Sequence, residues 1–322
     1  MSGADWRPTA NLAALRQRAQ LLETTRAFFR TRRVLEVETP VASGATVTDV
    51  QIESLQLAGS PPRWLQTSPE FPMKRLLAAG SGDIYQICRV FRAGEQGRLH
   101  NPEFTMVEWY RLGMDLPAIM AETGALAATL LAAGGRENLP VESLSYADAF
   151  QQQLGCDPLS ARQEVLAELA LTHGLAPSSV AGSTRDVLLD FLVATRVGPR
   201  LGNGRLTCLH HFPASQAALA QLDGADPRTA LRFELYAEGV ELANGYVELA
   251  DSVEQQRRFT ADLAERRRCG RKEPAMDERL LAALAHGLPA CAGVAMGFDR
   301  VAMLALGASS IAEVIAFPWE RA

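Results

Sequence analysis

Residues 91–110 read FRAGEQGRLHNPEFTMVEWY, and the second half of that run restricts the fold more than any other part of the chain. From residue 103 to 111 it reads as a strand, in which alternate side chains share a face. Phe104, Met106, Glu108 and Tyr110 then point one way, and Thr105, Val107, Trp109 and Arg111 the other. The first face combines an aromatic plate, an acid and a phenol. A core face does not accept an unpaired carboxylate cheaply. An edge strand with a solvated Glu108 fits equally well, and this stretch alone does not choose. The loop ahead of it carries Arg92 and His100, and Asn101-Pro102 fixes the turn into the strand. A cation, an imidazole and a flat ring together suit a triphosphate and a base.

The remaining patterns frame this strand. Residues 11–33 place Leu12, Leu15, Ala19 and Leu22 at helical spacing, with Arg26, Arg30, Arg32 and Arg33 as a solvated face. VLEVETP (34–40) predicts a strand stopped by Pro40. Residues 63–80 predict a strand, a turn at Ser68-Pro69 and a short helix, and 83–95 a strand running into a glycine-containing loop. From 113 to 200, Ala and Leu at helical spacing suggest a helical insertion. Strands return at 205–213, 230–249 and 291–298, with helices over 252–270 and around 277–286. Hairpin-like succession, rather than regular strand–helix alternation, predicts an α+β fold in one domain spanning 1–322: a mostly antiparallel sheet flanked by helices.

Composition removes several function classes. The 322 residues are 48% hydrophobic and 21% charged, ordinary for a soluble globular protein. A net charge of -5 argues against a broad basic surface for nucleic acid, though not against a local patch such as ERRRCGRK (265–272), whose simplest reading is a solvated helix end. Five scattered cysteines without a C-x-x-C pair indicate reduced thiols rather than a zinc site or disulfide framework. The N-terminus lacks an apolar signal core, and the apolar run 125–133 is too short to span a bilayer, so a soluble cytoplasmic protein is expected, with no membrane partner.

Two further stretches carry candidate chemistry. RFELYAEGVELANGYVEL places Glu234, Glu241, Asn244 and Glu248 close together. Strict alternation would put Glu241 opposite Asn244 and Glu248, unless Asn244-Gly245 changes the phase through a bulge or a turn. A plain hairpin turning at Asn-Gly competes with a cluster of oxygen ligands for Mg2+ or for a substrate ammonium group. In GVAMGFDRVAMLALG (293–307), Gly297 allows close approach of a ligand, and Arg300 sits in the first turn of a helix, where phosphate is favoured. A helix capped by Asp299, with an exposed arginine, is the plainer reading.

Together, in this order, the three stretches resemble the signatures of the class II aminoacyl-tRNA synthetases. VLEVETP is similar to the dimer-forming signature, and TSPE, HNPEFTM-EWY and ELANGY-EL are similar to lysyl-tRNA synthetases. With that signature starting near residue 34, no N-terminal OB-fold anticodon-binding domain is expected. Such a chain, with HFPASQ as well, resembles the elongation factor P lysine ligases. The resemblance implies activation of (R)-β-lysine, or lysine, with ATP and Mg2+. It also implies transfer to a lysine ε-amine of elongation factor P, a homodimer, and no tRNA partner.

It further implies roles. Arg92 and Arg300 would stabilise the phosphates, with Ala93, Gly94, His100, Asn101, Phe104, Glu241, Leu242 and Gly297 completing the ATP site. Glu234 and Glu241 would bind Mg2+. Ser68, Pro69, Glu70, Glu108, Tyr110, Asn244, Glu248 and Ala295 would surround the amino acid, with Glu108, Tyr110 and Glu248 on the distal ammonium. Two positions depart from the pattern. Gly94 stands where relatives place the glutamate that receives the adenine amine, so backbone or Glu95 would serve. Ala295 stands where lysyl-tRNA synthetases carry glycine, and its methyl would narrow the pocket and favour β-lysine over α-lysine. A tRNA-charging paralogue and a non-catalytic binding protein are the alternatives, the latter at odds with retention of Arg92, Glu241, Glu248 and Arg300.

Overall fold

The computed structural model describes residues 6–137, 139–180 and 182–322; residues 1–5 of the stretch read above for a signal core lie outside them. Helix α1 (Leu12–Thr31) is capped by Asn11, whose side chain accepts from Ala14 N at 2.9 Å. After β1 (Leu35–Glu36), the strands β2 (Ala42–Ser43), β3 (Gln56–Leu57) and β4 (Arg63–Leu65) form a small sheet in the order β2-β4-β3. Helix α2 (Glu70–Ala78) leads into β5 (Ile84–Phe91) and β6 (Glu103–Leu112). Next come α3 (Leu116–Ala133), β7 (Val141–Ser145), α4 (Tyr146–Leu154), α5 (Gln163–Thr172), α6 (Pro177–Val180) and α7 (Arg185–Leu192). The strands β8 (Leu206–Pro213), β9 (Thr229–Ala237) and β10 (Val240–Val247) follow, then α8 (Ser252–Arg268), α9 (Glu278–Gly287), β11 (Cys291–Gly297) and α10 (Phe298–Ala305).

Eight strands make the main sheet, in the order β1-β5-β6-β11-β10-β9-β8-β7. Its neighbours are antiparallel except for the two outermost pairs, β1–β5 and β7–β8, which are parallel. The α+β expectation holds, and its reason is visible in the two faces. Val107, Trp109, Val294, Met296, Phe233 and Leu235 point to one side and form the main core with α1, α3 and α10. The other side is too polar to pack dry and becomes the wall of a cleft.

Two expected elements differ. The VLEVETP strand shrinks to Leu35–Glu36, because pairing with β5 ends at the single bond from Val37 N to Tyr85 O before Pro40 is reached. The 113–200 segment is more than a helical insertion. It opens with α3, which belongs to the main core, and it supplies β7 to the sheet edge. Its helices α4, α5 and α7 build a second cluster, around Tyr146, Phe150, Leu166, Leu188 and Leu192, closed by Leu209 and Phe212 of β8 and Tyr236 of β9. By length and hydropathy α3 is also longer than the apolar run 125–133 suggested, enough to cross a membrane, but half of it is buried inside this fold.

One buried strut ties α1 to the site. Arg18 Nη2 lies 2.6 Å from Asp299 Oδ1 and donates to Thr105 Oγ1 at 2.8 Å, while Thr105 N donates to Asp299 Oδ2 at 3.0 Å. Asp299 is therefore a buried anchor rather than the helix cap; Gly297 occupies the cap position of α10. Of the arginines expected to be solvated, Arg26, Arg30, Arg32 and Arg33 are exposed.

Candidate active site

The face predicted from β6 extends across four more strands. Glu108 lies opposite Gln86 on β5 and Ala295 on β11, Ala295 opposite Asn244 on β10, and Asn244 opposite Glu234 on β9. One residue pair along, Tyr110, Gly293, Tyr246 and Arg232 form the adjacent row. Above these rows is a cavity of about 790 Å³ whose walls include Ser68, Glu70, Arg92, His100, Phe104 and Arg300.

At one end, carboxylates converge. Glu108 accepts from Ser68 Oγ at 2.7 Å and from Tyr110 Oη at 2.7 Å. Burial, then the charge of Glu70, pushes Glu108 up to about 8. Glu248 is pushed up to about 7 by burial and by Glu70, against the pull of Lys74. Lys74 is buried at 1% exposure, its Nζ 2.7 Å from Glu70 Oε1 and 2.6 Å from Glu248 Oε2. Burial opposes its charge, but Glu248 and Glu70 outweigh it and hold the ammonium well above the usual lysine range. Glu248 was assigned to a substrate ammonium; it already holds an ammonium of the protein. Pro69 is the N-cap residue of α2 and presents Ser68 and Glu70 without lining the cavity itself.

At the other end are the groups for a nucleotide. The Arg92 guanidinium lies 5.2 Å from the Phe104 ring centre and is held loosely, with Glu95 at 3.7 Å and Thr67 O at 3.4 Å. Arg300 is held firmly: Nη1 donates to Glu241 O at 2.9 Å, Nε to Leu99 O at 3.2 Å, and Nη2 lies 2.8 Å from His100 Nε2. Burial, then Arg300, lowers His100, so its neutral Nε2 can accept from that arginine. Asn101 lines the wall, yet its side chain is engaged with Glu103 O at 2.6 Å and Trp319 N at 3.0 Å, which makes it a brace for the C-terminal segment. Ala93 N is likewise taken by Glu53 O at 2.8 Å. Gly94 has φ 78° and turns the loop, while Glu95 faces the cavity. Gly297 is not crowded: a Cβ there would meet Arg300 Cδ at 3.7 Å and Leu242 O at 3.8 Å, both ordinary contacts.

The phase problem in β10 is solved one step earlier than its Asn-Gly suggested. The hairpin turns at Glu238-Gly239, both at positive φ, and the register slips between Glu241 and Ala243. The bulge at Leu242 brings Glu241 and Asn244 to one face. Gly245 stays in mid-strand, where a Cβ would strike the Phe233 ring. Asn244 is pinned by Arg232 Nε at 3.3 Å and donates to Tyr246 Oη at 3.1 Å. Glu234 turns away from the main cavity into an adjoining recess of about 290 Å³ shared with Glu241 and Arg300. There Arg232 Nη2 and Tyr236 Oη each donate to it at 2.6 Å. Burial and Glu241's charge push Glu234 up to about 7.

Sequence reasoning missed Lys74, Arg232 and Tyr246. The Glu70–Lys74 spacing of four on one helix was the available signal for the first. In the ERRRCGRK patch Arg266 is buried on Asp49 O, Ile52 O and Glu53, whereas Arg267 and Arg268 form the expected solvated helix end, exposed and paired with Glu273 and Glu265.

An acidic pocket and an arginine-framed aromatic, carried on an antiparallel sheet with strands β5, β6, β10 and β11 at its centre, define a synthetase-type site. The chain belongs to the class II tRNA synthetase family (D, K and N), which matches residues 3–321. It is similar over nearly its whole length to proteins named elongation factor P–(R)-β-lysine ligase. That of Pseudoalteromonas translucida is 49% identical, with 98% of each chain covered; that of Vibrio cholerae is 48% identical over the whole of both chains. The Edwardsiella ictaluri protein of that name is 49% identical over 99% of each.

Proposed function

We propose that this enzyme activates (R)-β-lysine with ATP and passes the β-lysyl group to a lysine ε-amine of elongation factor P. The observation that carries the reading is the single cleft with an ammonium-binding end, formed by Glu70, Glu108 and Glu248, and a phosphate-binding end, formed by Arg92 and Arg300. The names of the relatives supply the acceptor. The substrate carboxylate attacks the α-phosphorus of ATP and pyrophosphate leaves. The acceptor amine then attacks the carbonyl carbon of the mixed anhydride, releasing AMP. The protein's task in the first step is to align the carboxylate and offset charge on the phosphates, for which the loosely held Arg92 is placed.

Glu234 and Glu241 suit a magnesium ion. Both line one recess with Arg300, and Glu241's charge raises Glu234 even though Arg232 is paired with it at 2.6 Å; Mg2+ is commonly held by one or two carboxylates plus phosphate oxygens. The ion would neutralise charge on those oxygens. A protein acceptor, in place of tRNA, is supported by the acidic partners Glu53, Glu273 and Glu265 that the arginines at 266–268 already hold. Leu35, 55% exposed on β1 at the edge of the main sheet, supports a homodimer along that edge.

The test is ATP–pyrophosphate exchange with (R)-β-lysine, L-α-lysine or no amino acid, followed by mass spectrometry of added elongation factor P. Exchange with the β isomer and a gain of one lysyl mass are expected. Exchange with L-α-lysine and an unmodified factor would favour tRNA charging. No exchange with either would favour a binding protein. Ala295, between Glu108 and Asn244, gives a second expectation. Ala295→Gly should lower the preference for the β over the α isomer by about tenfold, since one methyl group is worth roughly 1–3 kcal/mol of discrimination. An unchanged ratio of kcat/KM values would reject that role.

A further inference from the structure

Lys74 is the buried charge that the mechanism above leaves without a task. It sits on α2, one turn after Glu70, flanked by apolar residues Met73 and Leu77 that pack in the same cluster. Exposed lysines on such helices are routine; one at 1% exposure is not. Its ammonium bridges Glu70 at 2.7 Å and Glu248 at 2.6 Å, thus joining a helix to the end of β10. The other groups facing this spot include Glu108 and Tyr110 from β6, Tyr246 from β10 and the Cys291 thiol from β11.

We propose that Lys74 is a positioning residue that sets the charge requirement of the amino-acid pocket, so that a substrate with two ammonium groups completes it. The proposal rests on the reading just given. Glu70, Glu108 and Glu248 are three carboxylates, and Lys74 supplies one resident cation, which leaves two negative charges. A diamino acid brings two ammonium groups, while its own carboxylate turns toward the nucleotide. An amino acid with a single amine leaves one buried carboxylate uncompensated, which is costly in a dry site. The carboxylates carry the strain this count requires: burial and the charge of Glu70 hold Glu108 and Glu248 both above the ordinary carboxylate range. Lys74 acts through geometry as well. It fixes Glu70 and Glu248 in one arrangement, and without it their like charges would drive the two carboxylates apart.

The experiment compares exchange kinetics for (R)-β-lysine and (R)-3-aminohexanoate, which lacks only the distal amine, in the wild type and in two variants. In Lys74→Met, KM for β-lysine should rise roughly 100-fold, as for truncation of one partner of a buried charge pair. Preference over the analogue should fall with it, because Glu70 and Glu248, no longer bridged, repel each other out of the arrangement that receives the distal amine, and kcat should change less. In Lys74→Met/Glu70→Gln the count of two negative charges returns, so thermal stability and discrimination against the analogue should recover together. If Lys74→Met does not fold, the double variant alone carries the test. Discrimination unchanged in folded Lys74→Met, or lost in the double variant, overturns the proposal. A wild type that activates neither amino acid, or both equally, overturns the functional reading and this inference with it. A selective wild type with an indifferent Lys74→Met overturns the inference alone.

Discussion

Gly293→Ala should abolish amino-acid activation while leaving nucleotide binding in place. Gly293 lies in β11, directly opposite Tyr110 on one side and Tyr246 on the other. A Cβ there would run into Glu248 Oε1 and the Tyr110 ring. Neither can yield cheaply. Tyr110 donates to Glu108 at 2.7 Å, Glu248 is paired with Lys74 at 2.6 Å, and both are almost fully buried. Overpacking of this kind costs about 1–3 kcal/mol in stability. The catalytic loss should be larger, because the carboxylates of the ammonium pocket are displaced together. Exchange with β-lysine should fall at least about 100-fold, in line with truncating one partner of a buried charge pair. Calorimetric titration with ATP should stay within a few-fold of wild type. Equal losses of ATP binding and exchange would mean that the sheet itself had failed.

Arg92→Ala should produce the complementary defect. Its side chain is 25% exposed, and its contacts, at 3.7 Å to Glu95 and 3.4 Å to Thr67 O, are long for hydrogen bonds. The fold therefore asks little of it, and the melting temperature should barely move. The exchange rate should fall by about 10²–10³, the usual loss when one group that stabilises transition-state charge is removed. KM for β-lysine should change little. Arg92→Lys should recover only a small part, since an ammonium cannot reproduce the planar fork of a guanidinium on phosphate oxygens. A kcat within tenfold of wild type in Arg92→Ala would remove Arg92 from the reacting centre and leave the firmly held Arg300 as the phosphate ligand.

The sequence made the face of β6 legible because period-two alternation is a local property, and Phe104, Glu108 and Tyr110 do share one wall of the cleft. The phase of β10 was not legible in the same way. The slip between Glu241 and Ala243 depends on where Tyr236 and Leu235 of the neighbouring strand stand, and the visible Asn244-Gly245 pair drew attention to the wrong step. Gly245 is there for the Phe233 ring, not for a turn. Lys74 was hidden for another reason: a lysine among apolar helix residues reads as a surface side chain, and only the fold shows two carboxylates closing over it. The role of α3 was obscured by composition. Its Ala- and Leu-rich pattern matches that of the helices after it, and what separates them is which layer of the sheet they meet.

The bulge at Leu242 has a consequence for how this enzyme gauges its substrate. Glu241, beside the phosphate-binding end, lies in β10, and Glu248, at the ammonium end, is the first residue after it, its N–H held by Cys291 O at 3.0 Å. A strand hydrogen-bonded on both sides cannot shorten or lengthen. The distance between the nucleotide and the far amine is therefore fixed by the backbone, not by a hinge that could adjust to the ligand. A homologue of β-lysine shorter by one methylene would span too little of that gauge at whichever end it docked. Selection by length in this protein is thus a property of β10 as a rigid rule, with the single extra residue setting where its scale begins.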